Sequence, residues 1–392
     1  MNYILFDDES RNNLLPFTFT RPVAEIRFGI LKITEKWELF LRKKVSFFTQ
    51  DYLQKKYPIR FANGENNFWI NGKICPDNNL LKEIKSLKVN QVLIYNNIII
   101  AANTGLTAQF NPLHLSSNFE KIQSKFHPLY ITAIHDIFTK NATAFTFDFE
   151  KITKGRKTTA LGKSNLHIGK GKIFIEKGAS VEGVIFNTKN GNIYIAKDAI
   201  VMEGSMIKGP FALCEHAEVK MGTKIYGATT IGPFSKVGGE INNSVIFGYS
   251  NKGHDGFLGN SVLGEWCNLG ADTNNSNLKN NYSNVKLWNY EQHKMVDTGL
   301  QFCGLFMGDH SKCGINTMFN TGTIIGVNAN VYGGGFPPTF IPSFSWGGSE
   351  GFEKYQFTKA IEVAKRVMER RNIKLSEEET KILEHIFKLK SA

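Results

Sequence analysis

At 392 residues the chain exceeds the usual reach of one hydrophobic core, so two domains, or one domain joined to an elongated array, are expected. A hydrophobic fraction of 42% against 21% charged residues excludes an extended solvated coil, a collagen and a coiled coil. The net charge of +12 is spread, its densest groups being Arg42 to Lys44 and Lys365, Arg366, Arg370 and Arg371, which argues against a nucleic-acid face and suits phosphorylated small molecules.

In chain order, Tyr3 to Phe6 reads as a short buried strand, followed by a polar loop carrying Arg11, Arg21 and Arg27 and by a helix from about Ile30 to Leu41. A strand at Val45 to Phe48, a helix at Leu80 to Leu87, and strands within Asn90 to Ala101 and at Phe145 to Phe149 complete an expected α/β domain over residues 1–150. Lys151 to Lys157 is the expected linker. The first ten residues reach two acids after a short apolar run, so they read as a strand and not as a signal peptide.

From Ile195 an aliphatic residue recurs every six positions through Val201, Ile207, Leu213, Val219, Ile225, Ile231 and Val237. Four residues after each stands a mostly small one: Ala199, Ser205, Ala217, Thr223, Thr229 and Ser235, with Phe211 and Ile241 as exceptions. The period resumes at Leu263 and Leu269 and again from Met307 to Val331. A period of six is too short for a helical hairpin and fits short strands joined by tight corners, so residues 158–345 are expected to form a hexapeptide-repeat parallel β-helix.

Two stretches break the period: Asn242 to Gly256, which holds His254 among glycines, and roughly Asn274 to Gly304, which is polar and long enough to be an extruded loop. After Val331 the run GGGFPPTFIPSFSWGG is expected to stop regular strands and cap the array. A helical tail over 350–392 follows, with Ile361, Ala364, Val367 and Met368 on one face and Ser376 and Glu379 at capping-box spacing. Five cysteines, Cys75, Cys214, Cys267, Cys303 and Cys313, show no CxxC pair and leave an odd one, which points to a reducing, cytoplasmic setting without a metal cluster. No run of 18 apolar residues occurs, so no membrane span is expected.

The array with GYSNKGHDGFLGNSVLGEWCNLGAD resembles the acetyltransferase half of the bifunctional N-acetylglucosamine-1-phosphate uridyltransferase and glucosamine-1-phosphate acetyltransferase family. The resemblance implies a left-handed β-helix, a homotrimer, acetyl-CoA as co-substrate, and His254 as the base that takes a proton from the substrate amine. An imidazole with a pKa near ~6.5 suits that task at cellular pH. By the same resemblance Lys224 meets the sugar phosphate, Asn268 the sugar and Gly333 the coenzyme, while Asn277 lies near the amine. Departures fall at Leu278 and Phe257, where the family has tyrosines, and at Asn242, where it has a lysine.

The N-terminal segment, FDDESR and then LLPFTFTRPVAEIRFG, is similar to the start of a sugar nucleotidyltransferase. That similarity implies a nucleotide and a sugar 1-phosphate as substrates, Arg11, Arg21 and Arg27 beside phosphates, and Mg²⁺ held by Asp7 and Asp8. The glycine-rich phosphate loop is replaced by Asp7, Asp8, Glu9 and Ser10, the usual proline-lysine pair becomes Pro22 and Val23, and Asn71 and Lys73 stand in the region of a metal-binding aspartate. The expected function is therefore acetyl transfer to an amino-sugar 1-phosphate, with glucosamine 1-phosphate foremost, coupled to nucleotidyl transfer giving UDP-N-acetylglucosamine. The alternatives are a single retained activity beside a degenerate nucleotide-binding domain, or a non-catalytic trimeric scaffold.

Overall fold

The computed structural model describes residues 1–61, 64–106, 112 and 118–389. The chain forms two compact units, one made of Met1–Ile26 and Leu31–Ala133, the other of Arg27–Ile30 together with Ile134 onward. Among the described residues no helix is long and apolar enough to cross a membrane.

The first unit is a mixed sheet of β1 (Asn2–Phe6), β2 (Ser46–Phe48), β3 (Asn67–Asn71), β4 (Gln91–Tyr95), β5 (Ile98–Asn103) and β6 (Glu120–Gln123) in the order β2-β1-β3-β5-β4-β6. β1 is parallel to both β2 and β3, with Phe6 opposite Asn71, so β1 and β3 end at one level. Their side chains are wholly apolar at Ile4, Leu5, Phe6 and Ile70, as burial from both sides demands. Helix α1 (Ile33–Leu41) is fixed by the buried Trp37, whose indole N–H donates to the Ile74 carbonyl at 2.7 Å. Helix α2 (Asn78–Ser86) starts where Asp77 accepts the N–H groups of Asn79 and Leu80. The expected strand run at Asn90 to Ala101 is a hairpin of β4 and β5, reversed at Asn96 and Asn97, both with positive φ.

The second unit is a parallel β-solenoid with three faces, sheets of six, nine and ten strands that each gain about one strand per coil. All eight aliphatic residues of the six-residue register, Ile195 to Val237, are no more than 1% exposed, and the residues four later are buried beside them. One apolar column therefore runs up the interior. At one corner, where Phe234, Tyr249 and Trp266 take positive φ, their rings stack with His216 at centroid spacings of 4.7, 5.1 and 4.3 Å.

Four sequence expectations change here. Asn242 to Gly256 is no break: Val245–Gly248 and Asn251–Lys252 continue the ladder against Thr230 and Lys236, and shorter corners shift the count. The segment Phe145 to Phe149 is not a strand. It lies in α4 (Asn141–Thr153), which follows the short α3 (Asp136–Thr139) and buries Asn141, Ala144, Phe145, Asp148 and Phe149 at helical spacing, a period that the alternation FTFDF conceals. The Gly- and Pro-rich run does not end the coils, because Phe340–Ile341 pairs with Ile324 and Ile325 and Ser345–Gly348 then turns back as an antiparallel hairpin with Gly351–Lys354. The second interruption is shorter than expected: Asn274–Asn275 still pairs with Met318–Phe319, and the extrusion that follows carries an antiparallel hairpin of Lys286–Asn289 with Lys294–Asp297. The tail expected to be helical over 350–392 begins instead with the strand Gly351–Lys354, and its helices are α5 (Phe357–Glu369), which buries Ile361, Ala364 and Met368, and α6 (Glu377–Lys388), capped by the reciprocal Ser376 and Glu379 bonds. All five cysteines are buried and none forms a disulfide.

Candidate functional sites

In the solenoid unit the third-sheet strand Asn251–Lys252 runs into the turn 253–256, which delivers the chain to the first-sheet strand Phe257–Gly259. Lys252 occupies the interior column directly beside Val237 and is only 2% exposed. Its ammonium donates to the carbonyls of His254 at 2.6 Å and Asp255 at 3.0 Å. Burial pushes this lysine down to about 8, against the pull of Asp255 and Asp272. The Asp255 carbonyl also accepts the Asp272 N–H at 3.1 Å, and the Gly256 carbonyl accepts that of Glu240 at 3.1 Å. Gly256 has φ +112°, and a Cβ there would lie 2.2 Å from the Thr273 carbonyl oxygen, so only glycine lets the coils close. The peptide groups of the turn are thus tied to coils on both sides, while the side chains of His254 and Asp255 are exposed. An imidazole on so fixed a backbone can meet a bound amine at a defined place, the first requirement of a general base.

The other residues expected to bind the sugar or the coenzyme stand around this corner rather than in one contact cluster. Lys224 is exposed on the first sheet, opposite Met206 and Glu240 in adjacent coils. Asn268 is on the third sheet, where its amide oxygen accepts from Asn251 at 3.0 Å. Asn277 begins the extruded loop and donates to Asn260 at 2.7 Å. Gly333 lies in the loop after Asn330–Val331, three strands along the third sheet from Asn251, with φ +95° and open space around the position of a Cβ.

In the first unit Asp7 and Asp8 follow directly on β1. Asp7 is buried and accepts from the Val23 N–H at 2.9 Å and the Thr49 hydroxyl at 2.5 Å, with Arg11 Nε at 3.4 Å. Burial pushes its carboxyl above the ordinary range despite those partners. Asp8 accepts from the backbone and hydroxyl of Ser10 on one oxygen, and from Asn71 at 2.9 Å and Lys73 at 2.6 Å on the other. Burial opposes its ionisation, but the Lys73 ammonium and these hydrogen bonds outweigh it and hold the carboxyl below its usual value. Arg11 is buried, donating to the Thr18 carbonyl and to the Tyr52 hydroxyl at 2.9 Å. Arg21 is buried in the same unit.

Arg27 is placed elsewhere. It belongs to the solenoid unit, where Nε donates to the Phe247 carbonyl at 2.9 Å and Nη1 to the Ile30 carbonyl. Beside it the Gly29 and Ile30 N–H groups donate to Asn141 and Asp148 of α4, and Thr230 donates to the Gly29 carbonyl. Arg27 thus belongs to a different unit from Arg11 and Arg21.

Asp8 does not fit a divalent cation as arranged, and Asp7 beside it is already engaged by Val23, Thr49 and Arg11. An ionised carboxylate offers about four acceptor positions, and on Asp8 two donors occupy each oxygen. Among the described residues no group of three or more His, Cys, Asp or Glu side chains is placed to hold a metal ion.

An α/β unit with its ionic cluster at the ends of parallel strands is thus followed by a hexapeptide-type β-solenoid with a histidine on a fixed corner. Residues 3–157 match a family model described as sugar nucleotidyl transferase. The bifunctional sugar-1-phosphate nucleotidylyltransferase/acetyltransferase of Sulfurisphaera tokodaii is 31% identical over 175 residues, 40% of this chain and 41% of that protein. The bifunctional protein GlmU of Methanocaldococcus jannaschii is 33% identical over 89 residues, 23% of this chain and 21% of that protein. The chain thus spans less than half the length of these curated relatives. Among solved structures, a Francisella novicida UDP-N-acetylglucosamine acyltransferase aligns at 12% identity over 57% of this chain and 76% of that chain, with a TM-score of 0.32. The resemblance read from the sequence is borne out by the family model over residues 3–157 and by the names of the curated relatives.

Two features that matter were not read from the sequence: Lys252 was not singled out, and Lys73 was placed only in the region of a metal-binding aspartate, not on Asp8. Lys252 is legible once the interior register is followed through the shortened corner, because a lysine then falls where Val237 and Leu269 predict an aliphatic residue. The bonding of Lys73 to Asp8 has no local signal, since the partners are 65 positions apart.

Proposed function

We propose that this chain is a bifunctional sugar-nucleotide enzyme in which the solenoid acetylates an amino-sugar 1-phosphate and the first unit joins a nucleotide monophosphate to a sugar 1-phosphate. The observation that carries the first half is the turn of His254, exposed at its side chain and tied at its carbonyls to a buried lysine. In this reading the imidazole takes a proton from the amine as its nitrogen attacks the thioester carbonyl. The C–S bond breaks, an amide forms, and coenzyme A leaves as a thiolate that takes up that proton. Lys224 offers charge to the sugar phosphate, Asn268 and Asn277 offer amides to the sugar hydroxyls, and Gly333 lets a coenzyme approach the backbone.

The name of the Sulfurisphaera tokodaii relative supports nucleotidylyl transfer to a sugar 1-phosphate together with acetyl transfer. Within that reading glucosamine 1-phosphate and UTP are the proposed substrates, UDP-N-acetylglucosamine the proposed product and acetyl-CoA the co-substrate. In the first unit Arg11 and Arg21 supply positive charge beside the loop after β1, while Arg27, bonded within the other unit, takes no part. Mg²⁺ belongs to this reading as a partner of the nucleotide's own phosphates, whose charge it neutralises. A cytoplasmic homotrimer with the coenzyme between neighbouring solenoids completes the proposal.

The filled acceptor positions of Asp8 favour one second reading, in which the first unit binds a sugar nucleotide without turning it over. Mass spectrometry of a mixture of acetyl-CoA, glucosamine 1-phosphate, UTP and Mg²⁺ separates the two. UDP-N-acetylglucosamine is the expected product; N-acetylglucosamine 1-phosphate alone selects the second reading, and unchanged substrates contradict both.

A further inference from the structure

We propose that Lys73 is the built-in cation of the first unit: its ammonium fills the place a divalent ion would take at Asp8, so that the unit meets phosphate without a protein-bound metal. This deepens the nucleotidyl-transfer reading of that unit, although the replacement itself stands on geometry. β1 and β3 are adjacent parallel strands that end level, Phe6 opposite Asn71, and Asp8 and Lys73 each stand two residues further on. The carboxyl ends of parallel strands are where open α/β sheets place their ligands.

Here the Lys73 ammonium lies 2.6 Å from Asp8 Oδ2 and 3.0 Å from Ser10 Oγ, with its side chain 5% exposed. Its backbone is held as well, the N–H by Asn71 Oδ1 at 3.2 Å and the carbonyl by the Ile131 N–H at 3.2 Å. Asn71 completes the shell by donating to Asp8 and to the Ile99 carbonyl, at 2.9 and 3.0 Å. Every hydrogen-bond partner of the carboxylate is therefore a donor in place, and one of them is a cation. A divalent ion at Asp8 would have to displace that ammonium or sit against it.

Mn²⁺ binding to the full chain without nucleotide, read by electron paramagnetic resonance, tests this. The wild-type chain is expected to show no Mn²⁺ site that depends on Asp8. Lys73→Met is expected to gain one, binding about tenfold tighter or more, because a unit charge at contact distance repels a second cation even at an effective dielectric near ~20. Asp8→Asn in the Lys73→Met background is expected to abolish the gain, and Lys73→Arg to behave as wild type.

Wild-type Mn²⁺ binding that Asp8→Asn removes would overturn the proposal, and so would a folded Lys73→Met chain that gains no site. If circular dichroism shows that Lys73→Met does not fold, Lys73→Gln gives the same reading, and if neither folds the wild-type and Asp8→Asn pair decides. The outcome is independent of turnover: a gained Mn²⁺ site in a chain inactive on UTP would retire the nucleotidyl-transfer reading and leave the cation replacement standing.

Discussion

The two candidate sites answer the same difficulty, a lysine buried beside polar backbone, in opposite ways. In the solenoid Lys252 spends its hydrogen bonds on two carbonyls of a turn, and the turn leaves His254 facing solvent. In the first unit Lys73 spends its bonds on the acidic side chain expected to do chemistry, and closes it. A buried ammonium can thus brace a site from behind or fill it from within, and the difference lies in whether its acceptors are main-chain or side-chain atoms.

The sharpest way to break the comparison is to remove the exposed group. His254→Ala is expected to lower acetyl transfer by about 10² to 10⁴-fold in kcat, with little change in melting temperature, since nothing in the core depends on the ring. Steady-state thiol release and thermal melting, measured together, check it. Next comes the scaffold beneath the corner: Leu213→Ala, at a fully buried column position, is expected to cost about 2 to 5 kcal/mol in chemical denaturation.

A smaller effect separates the arginines. Arg27→Ala is expected to destabilise the solenoid by about 1 to 3 kcal/mol, because buried carbonyls lose their donor, and to leave the KM for UTP unchanged. Arg11→Ala is expected to raise that KM. Equal effects of the two on UTP would contradict the separation seen in the structure.

The smallest effect is a slope. Lys252 titrates near about 8 in the folded chain against an ordinary value of 10.5, so the unfolded state binds more protons between those values, and the lysine makes stability rise with pH across that window. Below pH 8 the folded state bears the whole cost of burying the charge. Lys252→Met lacks this term, so its melting temperature relative to wild type is expected to fall as pH goes from about 8 to 10.5. A constant difference across the window would mean that the ammonium is not buried as described.

The solenoid was legible because its period repeats: eight aliphatic residues in register cannot be read as anything but an interior column, and each is buried. The capping box of Ser376 and Glu379 was equally local and equally plain. What failed had competing local signals. FTFDF alternates like a strand yet carries Phe145 and Phe149 one helical turn apart, and the packing of that face decided for helix. Asn242 to Gly256 looked like a loop because shortened corners break a count while preserving the ladder. At the sites, His254 was visible from its glycine-flanked motif, whereas the Asp8 cluster joins residues 63 and 65 positions apart, which no local pattern shows.

Acetyl transfer by the solenoid is tested most directly by thiol release from acetyl-CoA by the purified chain in the presence of a chelator. Release that depends on glucosamine 1-phosphate, and that leaves an N-acetylated product, is the predicted result. No release above the coenzyme's own hydrolysis, with glucosamine 1-phosphate or any other amino-sugar 1-phosphate, would contradict it.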